Sequence, residues 1–167
     1  IVGYSPNRGY GFAVKTGCDE ATSDIIGYMD SDGQFRAEDF DRLIPLMKQY
    51  SFVTGRRKKR ADPFMRKVNA KLFGFLNFFV LHIWVRDINC AMKMFTKETW
   101  NIIRPRHATG ALFNAELFLN LKKHHIAWTQ VDVPHYPRLS GTQTGAKLSV
   151  ILRMFRELLQ LRLDNKK

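Results

Sequence analysis

Two carboxylates one residue apart, Asp30 and Asp32, close an apolar run in the stretch IIGYMDSDGQF, with Gly33 and Gln34 directly behind them. At the end of a strand, two such side chains reach one cleft if the backbone turns between them, and a glycine permits that turn. Left bare, they repel. A hard divalent cation with oxygen ligands removes the repulsion, and Mg2+ or Mn2+ commonly joins protein carboxylates to substrate phosphates. A Ca2+ loop counted from Asp30 fails, because its sixth position is Phe35 instead of Gly and its twelfth is Asp41 instead of Glu. An acidic turn that caps the next helix is the plain alternative, and a short D-x-D triplet alone does not separate the two.

The elements that must position this pair are legible in the pattern. Residues 25–30 predict a short buried strand, and residues 36–50 a helix with acids in its first turn and Lys48 in its last. Residues 51–55 predict a second strand, so the order strand, helix, strand points to a parallel α/β unit, in which ligands collect beyond the carboxyl ends of the strands. Asp30 and Asp32 lie at such an end, and so does the basic run Arg56 to Arg60. A helix is expected over 64–85, with Lys67, Lys71, Gly74 and Asn77 on one face and no charge from Leu72 to Val85. That uncharged stretch falls short of the roughly 20 residues that span a bilayer, which leaves a core helix or a helix lying in a membrane interface beside Trp84. Further along, CAMKMF reads as a strand, 109–125 as a helix, 126–136 as a strand, 137–147 as a loop and 148–163 as an amphipathic helix.

Charge is divided along the chain. The formal net charge of +12 splits into −3 over residues 1–50 and +15 over residues 51–167. Such a field suits a polyanionic partner: nucleotide phosphates, an anionic membrane surface or nucleic acid. Nucleic acid is not expected, because the aromatic residues gather in the apolar segment instead of interleaving with the basic ones. His82, His107, His124, His125 and His135 lack zinc spacing, and the pair His124-His125 suits a helix C-terminus. Cys18 and Cys90 are expected as reduced thiols in a cytosolic setting, and no serine or cysteine sits in a nucleophile-and-base pattern. The opening IVGYSPNRGYG carries neither an initiating Met nor a signal pattern and reads as the middle of a longer protein.

With NRGYGFAVKTGCDEATSD before the carboxylates and VTGRR after them, the chain resembles the inverting nucleotide-sugar glycosyltransferases of family 2 with a GT-A fold. It is most similar to the subgroup that acts on polyprenyl phosphates, such as the dolichyl-phosphate mannosyltransferases. Asn7, Gly9, Gly11, Ala13, Asp30, Asp32 and Gln34 fall on that family's N-x-G-x-G-x-A and D-x-D-x-Q segments. RDINCAMKMF resembles its D-x-x-x-G-F-[RK] segment with Ala91 in place of Gly, Glu116 its helix glutamate, and PRLSGTQTGAK its R-x-x-G-x-S-K-like loop with a longer spacing to Lys147.

The resemblance implies one α/β domain over residues 1–167, a mostly parallel Rossmann-like sheet flanked by helices, whose first strands would precede Ile1. It implies that Asp30, Asp32 and Gln34 hold Mg2+ or Mn2+, and that Asp87, with Asp32, belongs to the catalytic centre and orients or polarises the acceptor. Substrate contacts would fall to Asn7, Gly9, Gly11, Arg56, Arg66, Glu116, Arg138 and Lys147. The partners would be a nucleoside-diphosphate sugar, a polyprenyl phosphate or other acceptor, and a membrane surface, with the protein peripheral on the cytoplasmic face. Two alternatives stay open: a relative that glycosylates a soluble or polysaccharide hydroxyl, with Asp87 as general base, and a non-catalytic basic module binding anionic lipid or nucleic acid.

Overall fold

A computed structural model describes residues 3, 6–58, 64–106, 110, 112–138, 158 and 161–163, with residues 64–67 described in backbone only. Four strands form one mixed sheet: β1 (Ile25–Tyr28), β2 (Phe52–Arg57), β3 (Lys93–Thr96) and β4 (Trp128–Val133), in the spatial order β1-β3-β2-β4. β3 pairs antiparallel with both β1 and β2, while β2 and β4 pair in parallel. Three of the four strands therefore run in the same direction. β1 and β2 do share a direction as their sequence order predicts, but they are not neighbours, because β3 is inserted between them.

The helix expected over 36–50 is instead two short 3-10 helices, Ala37–Arg42 and Ile44–Lys48. Pro45 explains the break: it lacks an N–H and disfavours the α conformation at Ile44 before it. Between β1 and β2 this segment covers one face of the sheet, where Phe35, Leu43, Val53, Met92 and Val133 pack together.

The other face carries the larger core. Phe95 stacks on Phe52 and on Trp100 with ring centroids 5.6 and 5.5 Å apart, and Phe118 meets Phe52 edge-on. Among the described residues the helices α1 (Tyr10–Glu20), α3 (Lys97–Ile103) and α4 (Phe113–Lys123) pack on this side, and Phe73, Leu81, Leu158 and Leu161 join the same core. α1 begins after Gly9, whose φ of 96° is open to glycine without strain and whose N–H donates to Asn7 Oδ1 at 2.8 Å. At its other end, Lys97 Nζ donates to the carbonyls of Cys18, Asp19 and Ala21. A lysine thus satisfies carbonyls that a helix C-terminus leaves unpaired. α4 ends in a Schellman motif with His125 at φ 53°, its N–H donating to the Lys122 carbonyl while Ile126 N–H donates to Leu121.

The helix expected over 64–85 ends earlier. α2 spans Phe64–Leu81, because His82 takes a left-handed conformation at φ 54° and its N–H closes on the Phe78 carbonyl at 2.9 Å. Of the helix expected over 148–163, only Leu158 and Leu161–Leu163 are among the described residues; they are helical, with Leu158 and Leu161 buried.

One close approach fixes β2 against its neighbours. A Cβ at Gly55 would lie 2.8 Å from Val133 Cγ2 and 3.0 Å from Cys90 Sγ, both buried. Gly55→Ala is expected to destabilise the fold by about 1–3 kcal/mol, as overpacking does where the neighbour is a stiff β-branched side chain. Urea denaturation checks this, and an unchanged midpoint would show that the β2–β4 contact can yield.

Candidate active site

The carboxylate pair sits directly beyond β1. Gly33, with φ 82°, supplies the turn that the sequence asks of it. Asp32 accepts the Gln34 N–H at 3.0 Å through Oδ1 and pairs with Arg138 at 2.8 Å through Oδ2. Arg138 also donates to Gln34 Oε1 at 3.3 Å, so the segment after β4 is brought onto the D-x-D-x-Q stretch from 104 residues away. Gln34 is buried, and its amide and main chain meet Tyr136 as well.

Asp30 is half-buried and makes no hydrogen bond or ion pair among the described residues. Burial raises its pKa above the usual carboxylate range, and the neighbouring Asp32 charge raises it further. A carboxylate held at such a cost beside another is a donor set suited to a cation. Two carboxylates and an amide oxygen are hard ligands that fit Mg2+ or Mn2+. Among the described residues no cluster of three or more His, Cys, Asp or Glu surrounds a common point.

A second centre lies where β2 ends. A cavity of about 890 Å3 is lined by Arg56, Arg57, Lys58, Lys71 and Arg86, by Asp87 and Asp132, and by Phe75 and Trp84. Asp87 is clamped by Arg57: the guanidinium donates to both carboxylate oxygens at 2.7 Å and the Arg57 N–H donates to Oδ2 at 3.0 Å. Arg56 pairs instead with Asp132 at 2.5 Å. Arg57, Asp132, Lys71 and Arg86 thus line this candidate site without having been among the expected site residues. For Arg57 the signal was the basic run, in which composition does not say which arginine faces which carboxylate; Lys71, Arg86 and Asp132 lie outside that run and had no such signal.

The remaining expected residues are spread out. Asn7 and Gly9 shape the start of α1, and Gly11 is buried in it. Glu116 is buried on α4 and accepts the Arg106 N–H at 2.7 Å. The Arg66 side chain and Lys147 lie outside the described residues. Between the two centres stands Lys93, a fully buried lysine on the central strand β3, within electrostatic reach of both Asp30 and Asp87.

The chain is 31% identical over 176 residues to a dolichyl-phosphate beta-glucosyltransferase of Dictyostelium discoideum, covering 92% of this chain and 53% of the relative. It is 26% identical to the enzyme of that name from Drosophila melanogaster, covering 87% of this chain and 51% of the relative. The chain therefore spans about half the length of the curated relatives it matches. Among solved structures, glucosyl-3-phosphoglycerate synthase from Mycobacterium tuberculosis in complex with phosphoglyceric acid superposes with a TM-score of 0.65 at 16% identity, over 95% of this chain and 56% of that one. The same synthase with Mn2+, UDP-glucose and phosphoglyceric acid gives 0.62 at 17% identity, over 96% and 56%. These likenesses establish the GT-A fold. The model of one family, glycosyl transferase family 2, matches residues 2–118, which hold the carboxylate pair, β1 to β3, Asp87 and Glu116, and the chain belongs to that family.

Proposed function

We propose that the chain is the part of a glycosyltransferase that moves a sugar from a nucleoside-diphosphate sugar onto a polyprenyl phosphate at a membrane surface, with inversion at the anomeric carbon. The observation that carries this reading is the cavity beside Asp87, because cations and exposed aromatics line it together. An acceptor with an anionic head and an apolar tail matches both kinds of wall. Lys58, Lys71 and Arg86 would take the acceptor phosphate.

On the donor side, Asp30, Asp32 and Gln34 would hold the divalent cation, whose chemistry when bound is to neutralise charge on the leaving diphosphate. Arg138, already on Asp32, would add a further positive charge there. Asp87 is better suited to holding the acceptor pocket in shape than to taking a proton, since its lone pairs are committed to Arg57. A phosphate acceptor is anionic already and needs no base. This favours the lipid phosphate over a hydroxyl acceptor.

The helix α2 supplies the surface. Val68, Leu72, Phe75 and Phe79 recur at helical spacing with exposed side chains, and Trp84, 58% exposed, packs against Phe75 and Phe78. No described helix is long and apolar enough to cross a membrane. An interfacial helix flanked by cations fits a peripheral protein on an anionic surface.

In the full-length protein, the expected result is Mn2+- or Mg2+-dependent release of nucleoside diphosphate that requires a polyprenyl phosphate. The protein is also expected to float with anionic vesicles, and Leu72→Ser with Phe79→Ser to lower that partition about tenfold or more. Release that proceeds equally well with a water-soluble hydroxyl acceptor, or polyanion binding unaffected by chelator with no release at all, would overturn the proposal.

A further inference from the structure

Lys93 has no role in the chemistry described so far, and its environment demands one. Its side chain is 0% exposed at the centre of the sheet, opposite Tyr28 on β1 and Thr54 on β2. Burying an ammonium there is costly, and a methionine would fill similar space without that cost. Burial pushes its pKa down to about 8, against the pull of the nearby Cys90 and Asp87.

Where the ammonium points is informative. Nζ donates to the Cys90 carbonyl and lies over the rings of Tyr28 and Phe118, 5.7 and 5.9 Å from their centroids. Cys90 closes the turn that begins at Asp87, its N–H donating to the Asp87 carbonyl at 3.1 Å. Within the same turn, Asn89 Oδ1 accepts from Asn114 Nδ2 at 3.3 Å, and Asn114 Oδ1 in turn accepts from the Tyr28 hydroxyl at 3.2 Å. The turn bearing Asp87 is therefore tied to Tyr28 of β1 by a neutral amide chain and to β3 by one buried ammonium, which lies over the Tyr28 ring.

We infer that Lys93 is a positioning residue: it pins the Asp87–Cys90 turn to the sheet and so fixes the acceptor cavity relative to the donor carboxylates. The inference rests on the two-centre reading of the site given above. It assigns Lys93 no contact with either substrate. Its loss should loosen the turn while β1, β2 and α4 keep their packing, so that acceptor use suffers and donor binding does not.

The test compares the full-length protein with Lys93→Met, which keeps the volume, and Lys93→Arg, which keeps charge and donors. Amide hydrogen exchange is read over residues 87–92 and over the flanking strands. In the Met variant, protection over 87–92 is expected to fall about tenfold or more with the strands unchanged, as a local opening does. The acceptor KM should rise about tenfold, while the affinity for Mn2+ with a nucleoside diphosphate, probed with UDP and GDP, stays within about twofold. The Arg variant should retain the protection. If the Met variant does not fold, the Arg variant decides: loosening over 87–92 despite the retained charge overturns the inference. Unchanged protection in the Met variant, or a loss shared equally by all strands, overturns it as well. Should the wild type transfer no sugar, the function proposed above fails, and the exchange comparison still decides the role of Lys93.

Discussion

Replacing Asp32 with Ala in the full-length protein is expected to lower transfer by about 100-fold or more, the scale of losing charge stabilisation at a leaving group. The fold should survive, because Arg138, the partner left behind, is 24% exposed and within reach of water. Asp30→Asn should be as damaging to transfer and yet raise stability at neutral pH. The folded protein holds the Asp30 pKa above the usual carboxylate range, so the favourable contribution of its protonated form is present below that range and lost as pH rises through the raised value. At neutral pH the ionised Asp30 therefore opposes folding, and Asn removes that opposition. The metal-free Asn variant is expected to melt above the metal-free wild type at pH 7, and to lose the part of the acid-range pH dependence that Asp30 contributes. Mn2+ should raise the melting temperature of the wild type and of neither variant. Thermal scans with and without Mn2+, alongside the transfer assay, decide this. Near-wild-type transfer with metal dependence intact in either variant would remove that carboxylate from the cation site.

Asp87→Ala carries the largest expected effect on stability. The Arg57 side chain is 5% exposed and Asp87 8%, and the three hydrogen bonds between the two residues are made out of reach of bulk water. Removing one member of a buried pair leaves the other as an uncompensated charge, at a cost of about 3–5 kcal/mol. The double variant Arg57→Met with Asp87→Leu should recover most of that loss, since replacing both members with apolar side chains is often close to neutral. Urea denaturation of the two single variants and the double supplies the cycle. A cost below about 1 kcal/mol for Asp87→Ala would show that water reaches Arg57 and that the clamp is not buried in solution. The same cycle bears on function. Loss of activity in Asp87→Ala with a large loss of stability points to the pocket coming apart, whereas loss at full stability would return Asp87 to the role of base.

Local pattern settled a good deal. The apolar run into Asp30 placed the carboxylates at a strand end, Gly33 supplied the turn, and the uncharged stretch from Leu72 onward marked the apolar half of α2. These are short-range facts, written in periodicity and turn chemistry. Even the failures of local reading have local causes, Pro45 in the split helix and His82 at the end of α2. What only the tertiary structure decided is pairing. Local pattern reads CAMKMF, residues 90–95, as a strand but does not say that it enters between β1 and β2, because pairing partners far apart in sequence are chosen by burial of whole faces. Five consecutive cations read alike along the chain, yet the parallel register sets Arg56 directly opposite Asp132 while Arg57, next along the pleat, faces Asp87. The same long-range closure buries Lys93 beneath the Asp87 turn and brings Arg138 onto Asp32, two placements that follow from the sheet as a whole because no neighbour in sequence specifies them.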